Sequence, residues 1–307
     1  MQGFRLESLD SGSANASGCR GLRIYGASFY ETYLLRPEAA RARLFRSLRA
    51  FRNRLASGPA PAARLILRAA DLDPAAAAAD RDWEAFFMAV ESLRYLRDPA
   101  DIRILWDLGV RSLQPIHFLS TPWGGSSGEG MLPPSPHGLT GLGREMLAEM
   151  ARSGFILDLA HMGYRTAEDS LRSYTGPVMC SHTGLEEIRS SPRNLPADLA
   201  REVFRRGGVV GVTCWRRLLG KAPIRSRSDW TRSYCATAVA FAALHPGSRV
   251  AIGSDRGAPI QVPAWFYSAG HLAEISACLA SMGWDPELIR SFFHRNAWDF
   301  LKRSLPA

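Results

Sequence analysis

Three histidines and two acids stand at the ends of apolar runs in this sequence. "AFFMAVE" (85–91) closes on Glu91, "FILDLAH" (155–161) on His161, "GPVMCSH" (176–182) on His182 and "RVAIGSD" (249–255) on Asp255. "VRSLQPIHF" (110–118) carries His117 one residue before its end, and Arg193 lies in the loop beyond His182. The other four histidines (137, 245, 271 and 294) fall in loops or helices. Two imidazoles and a carboxylate form a common zinc set that leaves a fourth position open for water. Zinc held this way brings its water toward neutrality and supplies hydroxide as nucleophile. Asp255 is then placed to take or return the proton during attack. His117 could hold the developing oxyanion, and Arg193 could clamp a substrate carboxylate with its planar fork. The bland alternative is a buried polar network that caps the strand ends without an ion.

Those residues need a scaffold that gathers strand ends. From Gly58 onward, short apolar runs alternate with stretches of helical periodicity. The runs are "ARLILRA" (63–69), the five already quoted and "GVVGVTCW" (208–215). The helical stretches are "DPADIRILWDLG", "GLGREMLAEMARSG", "RTAEDSLRSY", "PADLAREVFRRGG" and "DWTRSYCATAVAFAALH". Alternation of this kind argues for parallel βαβ units. Seven or eight such units predict an α/β fold of the closed (β/α)8 TIM-barrel type, completed by an early strand near "LRIYGASFY". In that fold chemistry sits at the C-terminal ends of the strands, where Glu91, His117, His161, His182 and Asp255 fall. "STPWGGSSGEGMLPPSPHG" (120–138) reads as a long loop after a strand, as a substrate loop might be. "AADLDPAAAAADRD" (69–82) reads as a helix start. No internal repeat or boundary divides the chain, which is expected to form one domain over 1–307.

The bulk numbers exclude several classes. With 46% hydrophobic and 22% charged residues the composition is that of an ordinary globule. No apolar run approaches the roughly 18 residues needed to cross a bilayer. The start "MQGFRLESLD" lacks the apolar core of a secretory signal, and a cytoplasmic location is expected. Five cysteines (19, 180, 214, 235 and 278) without a CxxC pair fit reduced, packed thiols better than a disulfide framework or thiolate zinc site. Much of the net charge of +9 sits in "RPEAARARLFRSLRAFRNRLA", where Leu44, Phe45, Leu48, Phe51 and Leu55 recur at helical spacing. That pattern describes an amphipathic helix with a solvated basic face. No nucleic-acid-binding motif accompanies it, so neither nucleic acid nor a membrane is expected as partner.

The chain resembles the membrane (renal) dipeptidase family, zinc-dependent (β/α)8-barrel hydrolases of the amidohydrolase type. The likeness is densest in "GLTGLGREMLAEMARSGFILDLAHMG", "PVMCSH" and "SPRNLPADLAREVFRRGGVVGVT", and weaker in "AFFMAVES", "PIHFLSTPW", "AIGSDRG" and "HRNAWDFLKR". The resemblance implies Glu91 as a metal-bridging ligand, with His161 and His182 completing one zinc site. It implies His117 as the residue polarising the scissile carbonyl, Arg193 as binder of the substrate carboxylate and Asp255 as the catalytic acid/base. It also implies a dipeptide-like small-molecule substrate and a homodimer.

Three departures qualify what is implied. The family opens with "DGHND", whose His and second Asp hold a second zinc. The corresponding "LESLDSGSANAS" has no histidine, and none occurs before His117. A single zinc is therefore expected, since Glu91 alone holds a second ion poorly. "SDRGAP" puts Arg256 and Gly257 where the family has Phe-Asp, and Leu218 stands near an expected tyrosine. Manganese or iron could substitute for zinc on such ligands. The expected activity is hydrolysis of an amide in a dipeptide or peptide-like molecule by one zinc, an acid/base and an oxyanion partner. The alternatives are a biosynthetic or modifying enzyme on the same barrel, since one fold hosts many reactions, or a non-catalytic binding protein.

Overall fold

The computed structural model describes residues 5–7, 23–30, 35–57, 63–73, 84–129, 132–221, 223–254 and 269–307. Among these residues nine strands form one sheet: β1 (Arg5–Glu7), β2 (Arg23–Tyr30), β3 (Ala63–Leu65), β4 (Glu84–Glu91), β5 (Val110–Gln114), β6 (Ile156–Asp158), β7 (Val178–Thr183), β8 (Val209–Thr213) and β9 (Val250–Gly253). From β2 through β4 to β9 each strand pairs in parallel with the next. The short β3 shares with β5 the edge of β4, and β1 pairs antiparallel with β2. The fold is thus of the (β/α)8-barrel type, with seven parallel strands curling in sequence order. β1 departs from the all-parallel expectation, for it runs antiparallel and lies beside β9.

Helices cover the outside: α1 (Pro37–Ser57), α2 (Pro99–Asp107), α3 (Gly141–Ser153), α4 (Tyr164–Ser173), α5 (Ala197–Arg205), α6 (Arg227–Ala242), α7 (Ala269–Ser281), α8 (Pro286–Arg290) and α9 (Asn296–Ser304). Local sequence sets their ends. Asp98 caps α2 through the Ala100 N–H with Pro99 at the first position, and Thr140 caps α3 through the Gly143 N–H. Gly154 ends α3 in the left-handed conformation, at φ +87°. On α1, Leu44, Phe45 and Leu48 are buried while Arg43, Arg46, Arg49 and Arg52 face solvent, as the spacing predicts. Among the described residues no helix is long and apolar enough to cross a membrane.

Strand alternation sorts the core into layers. Leu157, Val178, Val210 and Ile252 face the helices in the larger cluster. Their neighbours Ile156, Met179, Val209 and Ala251 join Phe87 inside the curl, packed on Ala297, Phe300 and Leu301 of α9. This apolar plug fills the N-terminal end. Two residues further along the same inward face come Asp158, Ser181, Gly211 and Gly253. The two glycines permit the tight curl: a Cβ on Gly211 would lie 2.1 Å from the Ser181 carbonyl oxygen, and one on Gly253 only 2.3 Å from it. The inward face therefore passes from apolar to polar as it nears the C-terminal rim.

Of the expected helix start at 69–82, residues 69–73 are described and hold one 3-10 turn, Ala69–Asp71, while 74–82 lie outside the described residues. Cys180 and Cys214 are buried, as packing predicts.

Candidate active site

Glu91 is the last residue of β4, paired in register with Tyr30 of β2 and Gln114 of β5. His117 follows β5, His161 follows β6 and His182 lies within β7. All four are buried, as is Arg193. His117 is central: its Nε2 lies 3.7 Å from Glu91 Oε2, and its ring centroid 4.5 Å from that of His161. His161 in turn brings its Nε2 to 3.1 Å from Nε2 of His182. Arg193 donates from Nη2 to the His182 carbonyl oxygen at 3.1 Å. Five of the six residues singled out from sequence thus converge on one rim. The sixth, Asp255, lies outside the described residues, as do Arg256 and Gly257.

The backbone is bent to deliver two of these groups. Among the described residues only Ser92 and His161 are non-glycine residues with positive φ, at 65° and 64°. One directly follows Glu91 and the other is a candidate ligand itself. Conformations of this kind cost of order 1 kcal/mol or more and persist where surrounding contacts over-determine them. Here the Ser92 N–H is held by the Gln114 carbonyl at 2.8 Å, and the His161 carbonyl accepts from Ser127 N–H at 2.9 Å.

Burial dominates the electrostatics. It pushes His117 down to about 3, with the Arg193 charge adding to the effect. His161 and His182 are driven well below their ordinary value by burial first and Arg193 second. All three imidazoles are therefore neutral near pH 7, the state in which a ring nitrogen can ligate a cation. Arg193 supplies a fixed positive charge in their midst.

Three further side chains belong to this rim and carried no role in the sequence reading. Asp158 accepts the N–H groups of Ala160 (3.1 Å) and Ser181 (2.9 Å) on one oxygen, and burial raises its pKa against those bonds. The Ser181 hydroxyl also bonds this carboxylate and stands 2.7 Å from His182 Nδ1. With Asp158 ionised, the hydroxyl donates to it and accepts from Nδ1–H, which leaves Nε2 of His182 as a lone pair. Glu129, mostly buried, places Oε2 3.6 Å from His161 Nδ1. The signal for Asp158 was the aspartate three residues before His161; Glu129 gave none, because a loop residue's place depends on how the loop packs.

That loop is not an open flap. Trp123 is fully buried, with Nε1–H on the Leu96 carbonyl at 3.1 Å. Ser126 bridges to Met162, and Gly163 N–H donates to the Gly125 carbonyl at 2.9 Å. Residues 121–128 are largely buried against the turn that carries His161.

Whether a cation fits can be judged from the donors. Two nitrogens bound at about 2.05 Å to one tetrahedral zinc stand roughly 3.3 Å apart. The two Nε2 atoms face each other at 3.1 Å, so this pair fits one ion. Among the described residues no three of His, Cys, Asp and Glu are placed to hold one ion, Glu91 included, so further donors to this pair must come from water or from outside the described residues.

Comparison with known proteins places this arrangement. The profile of the membrane dipeptidases, peptidase family M19, matches residues 51–303. The chain belongs to the membrane dipeptidase family. An uncharacterized dipeptidase of Schizosaccharomyces pombe is 32% identical over 140 residues, covering 45% of this chain and 33% of that protein. The match thus spans a third of that relative's length. The fold is shared with a metallopeptidase of Rhodobacter sphaeroides solved with a phosphinate mimic of the dipeptide L-Ala-D-Ala. That likeness has TM-score 0.68 and 23% identity, covering 88% of this chain and 76% of the other. A further M19 metallopeptidase, dipeptidase AC, superposes with TM-score 0.71 and 23% identity, covering 91% and 85% of the two chains. Against this family, the segment corresponding to the missing His-x-Asp motif lies outside the described residues beyond Glu7. Leu218, near the family's expected tyrosine, is buried in a 3-10 turn, and its backbone oxygen accepts from Asn194 Nδ2 at 3.0 Å.

Proposed function

We propose that this chain is a metal-dependent hydrolase that cleaves the amide bond of a dipeptide or small peptide-like molecule. Membership of the dipeptidase family supports the reaction class. The observation that carries the reading is the facing pair of neutral imidazoles, Nε2 to Nε2 at 3.1 Å. His161 and His182 would hold one zinc-like ion, and Glu91, assigned as the third ligand, would have to turn toward them from beside His117. When bound, such an ion supplies a water molecule acidic enough to attack near neutral pH and polarises the substrate carbonyl.

The chain's own residues do the rest. His117, neutral and beside Glu91, is placed to donate a hydrogen bond to the carbonyl oxygen as negative charge develops there. Arg193 is anchored through Nη2, while its buried Nε has no hydrogen-bond partner. A buried guanidinium donor of this kind calls for an acceptor, and a substrate carboxylate supplies one. Asp255 is assigned the proton transfer, from attacking water to leaving amine. One zinc is proposed rather than two, because the sequence has no histidine before His117. The facing imidazoles, well placed for an ion, disfavour the non-catalytic alternative.

The test is metal analysis of the purified chain, followed by assay on L-Xaa-Gly and L-Ala-D-Ala dipeptides. About one zinc per chain and hydrolysis that vanishes in His161→Ala and His182→Ala are expected. A protein that binds no divalent ion overturns the reading.

A further inference from the structure

Glu129 has no place in the proposed reaction, yet it is the carboxylate nearest the back of the His161 ring. Its Oε2 is buried without a hydrogen-bond partner, and so is His161 Nδ1, 3.6 Å away. Two mutually facing, unsatisfied polar atoms in a buried site are costly unless they pair. The backbone around them is fixed. Ser127 N–H, two residues before Glu129, holds the carbonyl of His161 itself, and the Ser126–Met162 bridge flanks it. Gly128, at φ +70°, turns the chain directly before Glu129, and a Cβ there would fall 2.3 Å from the Leu132 carbonyl oxygen. Glu129 is therefore held at His161 by the same loop that holds His161 in its left-handed turn.

The consequence is chemical. With Glu129 ionised, which burial opposes and the Arg193 charge favours, a proton kept on Nε2 of His161 would leave the Nδ1 lone pair facing a carboxylate, two acceptors opposed. With the proton on Nδ1, that atom donates toward Glu129 and Nε2 presents a lone pair. Across the 3.1 Å gap, the Ser181 hydroxyl makes the same choice on His182 from behind when it donates to an ionised Asp158. Two lone pairs then meet with no proton between them, an arrangement that a cation stabilises and a metal-free site does not. Carboxylate or hydroxyl partners behind a ligating imidazole fix its tautomer and raise its basicity.

We propose that Glu129 is the positioning residue of the metal centre, holding the proton of His161 on Nδ1 so that Nε2 is free to bind the ion. This rests on the hydrolase reading above and adds a residue to it. The loop "GGSSGE" is, in this account, part of the metal site's frame rather than a cover for substrate.

The experiment measures zinc affinity of the full chain by competition with a chromophoric chelator, for wild type, Glu129→Gln and Glu129→Ala. Nitrogen-15 NMR of the histidine side chains is recorded on the zinc-loaded proteins. Expected are an affinity loss of about 10–100-fold in Glu129→Ala and a smaller one in the isosteric Glu129→Gln, which can still accept a proton bond. The stoichiometry and the metal-free melting temperature should be unchanged in Glu129→Gln. The Nδ1–H signal of His161 should be present in wild type and shifted or exchange-broadened in both variants. Wild-type affinity and an unshifted His161 signal in both variants overturn the role of Glu129 and leave the hydrolase reading intact. A wild-type chain that binds no zinc overturns both.

Discussion

The Asp158 carboxylate accepts the Ser181 backbone N–H at 2.9 Å and thereby ties the end of β6 to the strand that carries His182. Through Ala160 N–H the same oxygen shapes the turn into His161, so one side chain sets the spacing of both imidazoles. Asp158→Asn keeps an acceptor for the two N–H groups but has one acceptor oxygen where the carboxylate has two, so its hold on the Ser181 hydroxyl weakens. Zinc affinity should fall by about 10–100-fold, and stability by roughly 1–3 kcal/mol. Chelator competition and urea unfolding of the two proteins measure these separately. Unchanged affinity in a folded variant would show that Asp158 serves the fold alone.

The one-sided anchoring of Arg193 leads to a kinetic prediction. Lysine can retain a charge near the His182 carbonyl but lacks the second donor of the guanidinium fork. Arg193→Lys should lower kcat/KM by about tenfold, near 1.4 kcal/mol, expressed mainly as a higher KM, with zinc content unchanged. A substrate amide lacking the free carboxylate should show no such loss. Equal losses on both substrates would remove the carboxylate from Arg193.

Close approach of β7 and β9 is tested at Gly253. A methyl group there meets the Ser181 carbonyl oxygen at 2.3 Å and the backbone of Gly211 at 2.7 Å, neither of which can rotate away. Gly253→Ala should cost about 1–3 kcal/mol or more by urea unfolding. Gly270, in α7 with nothing within 4 Å of a built Cβ, is the control: Gly270→Ala should be neutral or stabilising.

How much of this was legible beforehand differs by residue. Runs such as "GVVGVTCW" and "FILDLAH" announce buried parallel strands because both faces must be apolar, and β6 and β8 fall within them. The strands proved shorter than the apolar runs, since the last residues turn toward the rim to present side chains, as at His161. The rim residues Glu91, His117, His161 and His182 were readable from position, because a barrel collects strand ends whatever the chain does between them. Glu129 was not, for its place depends on a loop folding back onto the turn at 159–163. Nor was the antiparallel β1, which is three residues long and carries no periodic signal.

A pH dependence of stability can be located away from the rim, at His271 on α7. This imidazole is fully buried, and its Nδ1 accepts from Arg227 Nε of α6 at 3.1 Å. Glu274, 3.2 Å away, bonds the same arginine, and the Trp230 ring lies at 5.4 Å. Burial pushes His271 below its ordinary value; Arg227 adds to this and Glu274 opposes it without reversing it. The unfolded chain therefore takes up a proton that the folded chain refuses. The stability held by this contact is complete above about pH 6.5 and is lost progressively as pH falls from there toward the lowered folded value. His117, His161, His182 and His294 shift in the same direction, so the wild-type slope alone does not isolate His271. His271→Asn can keep an acceptor for Arg227 but cannot titrate. Urea midpoints of the metal-free proteins at pH 7.5, 6.5 and 5.5 should then converge, the wild type losing more on acidification than the variant. Parallel pH profiles would mean that His271 takes its proton in the folded chain as readily as in the unfolded one.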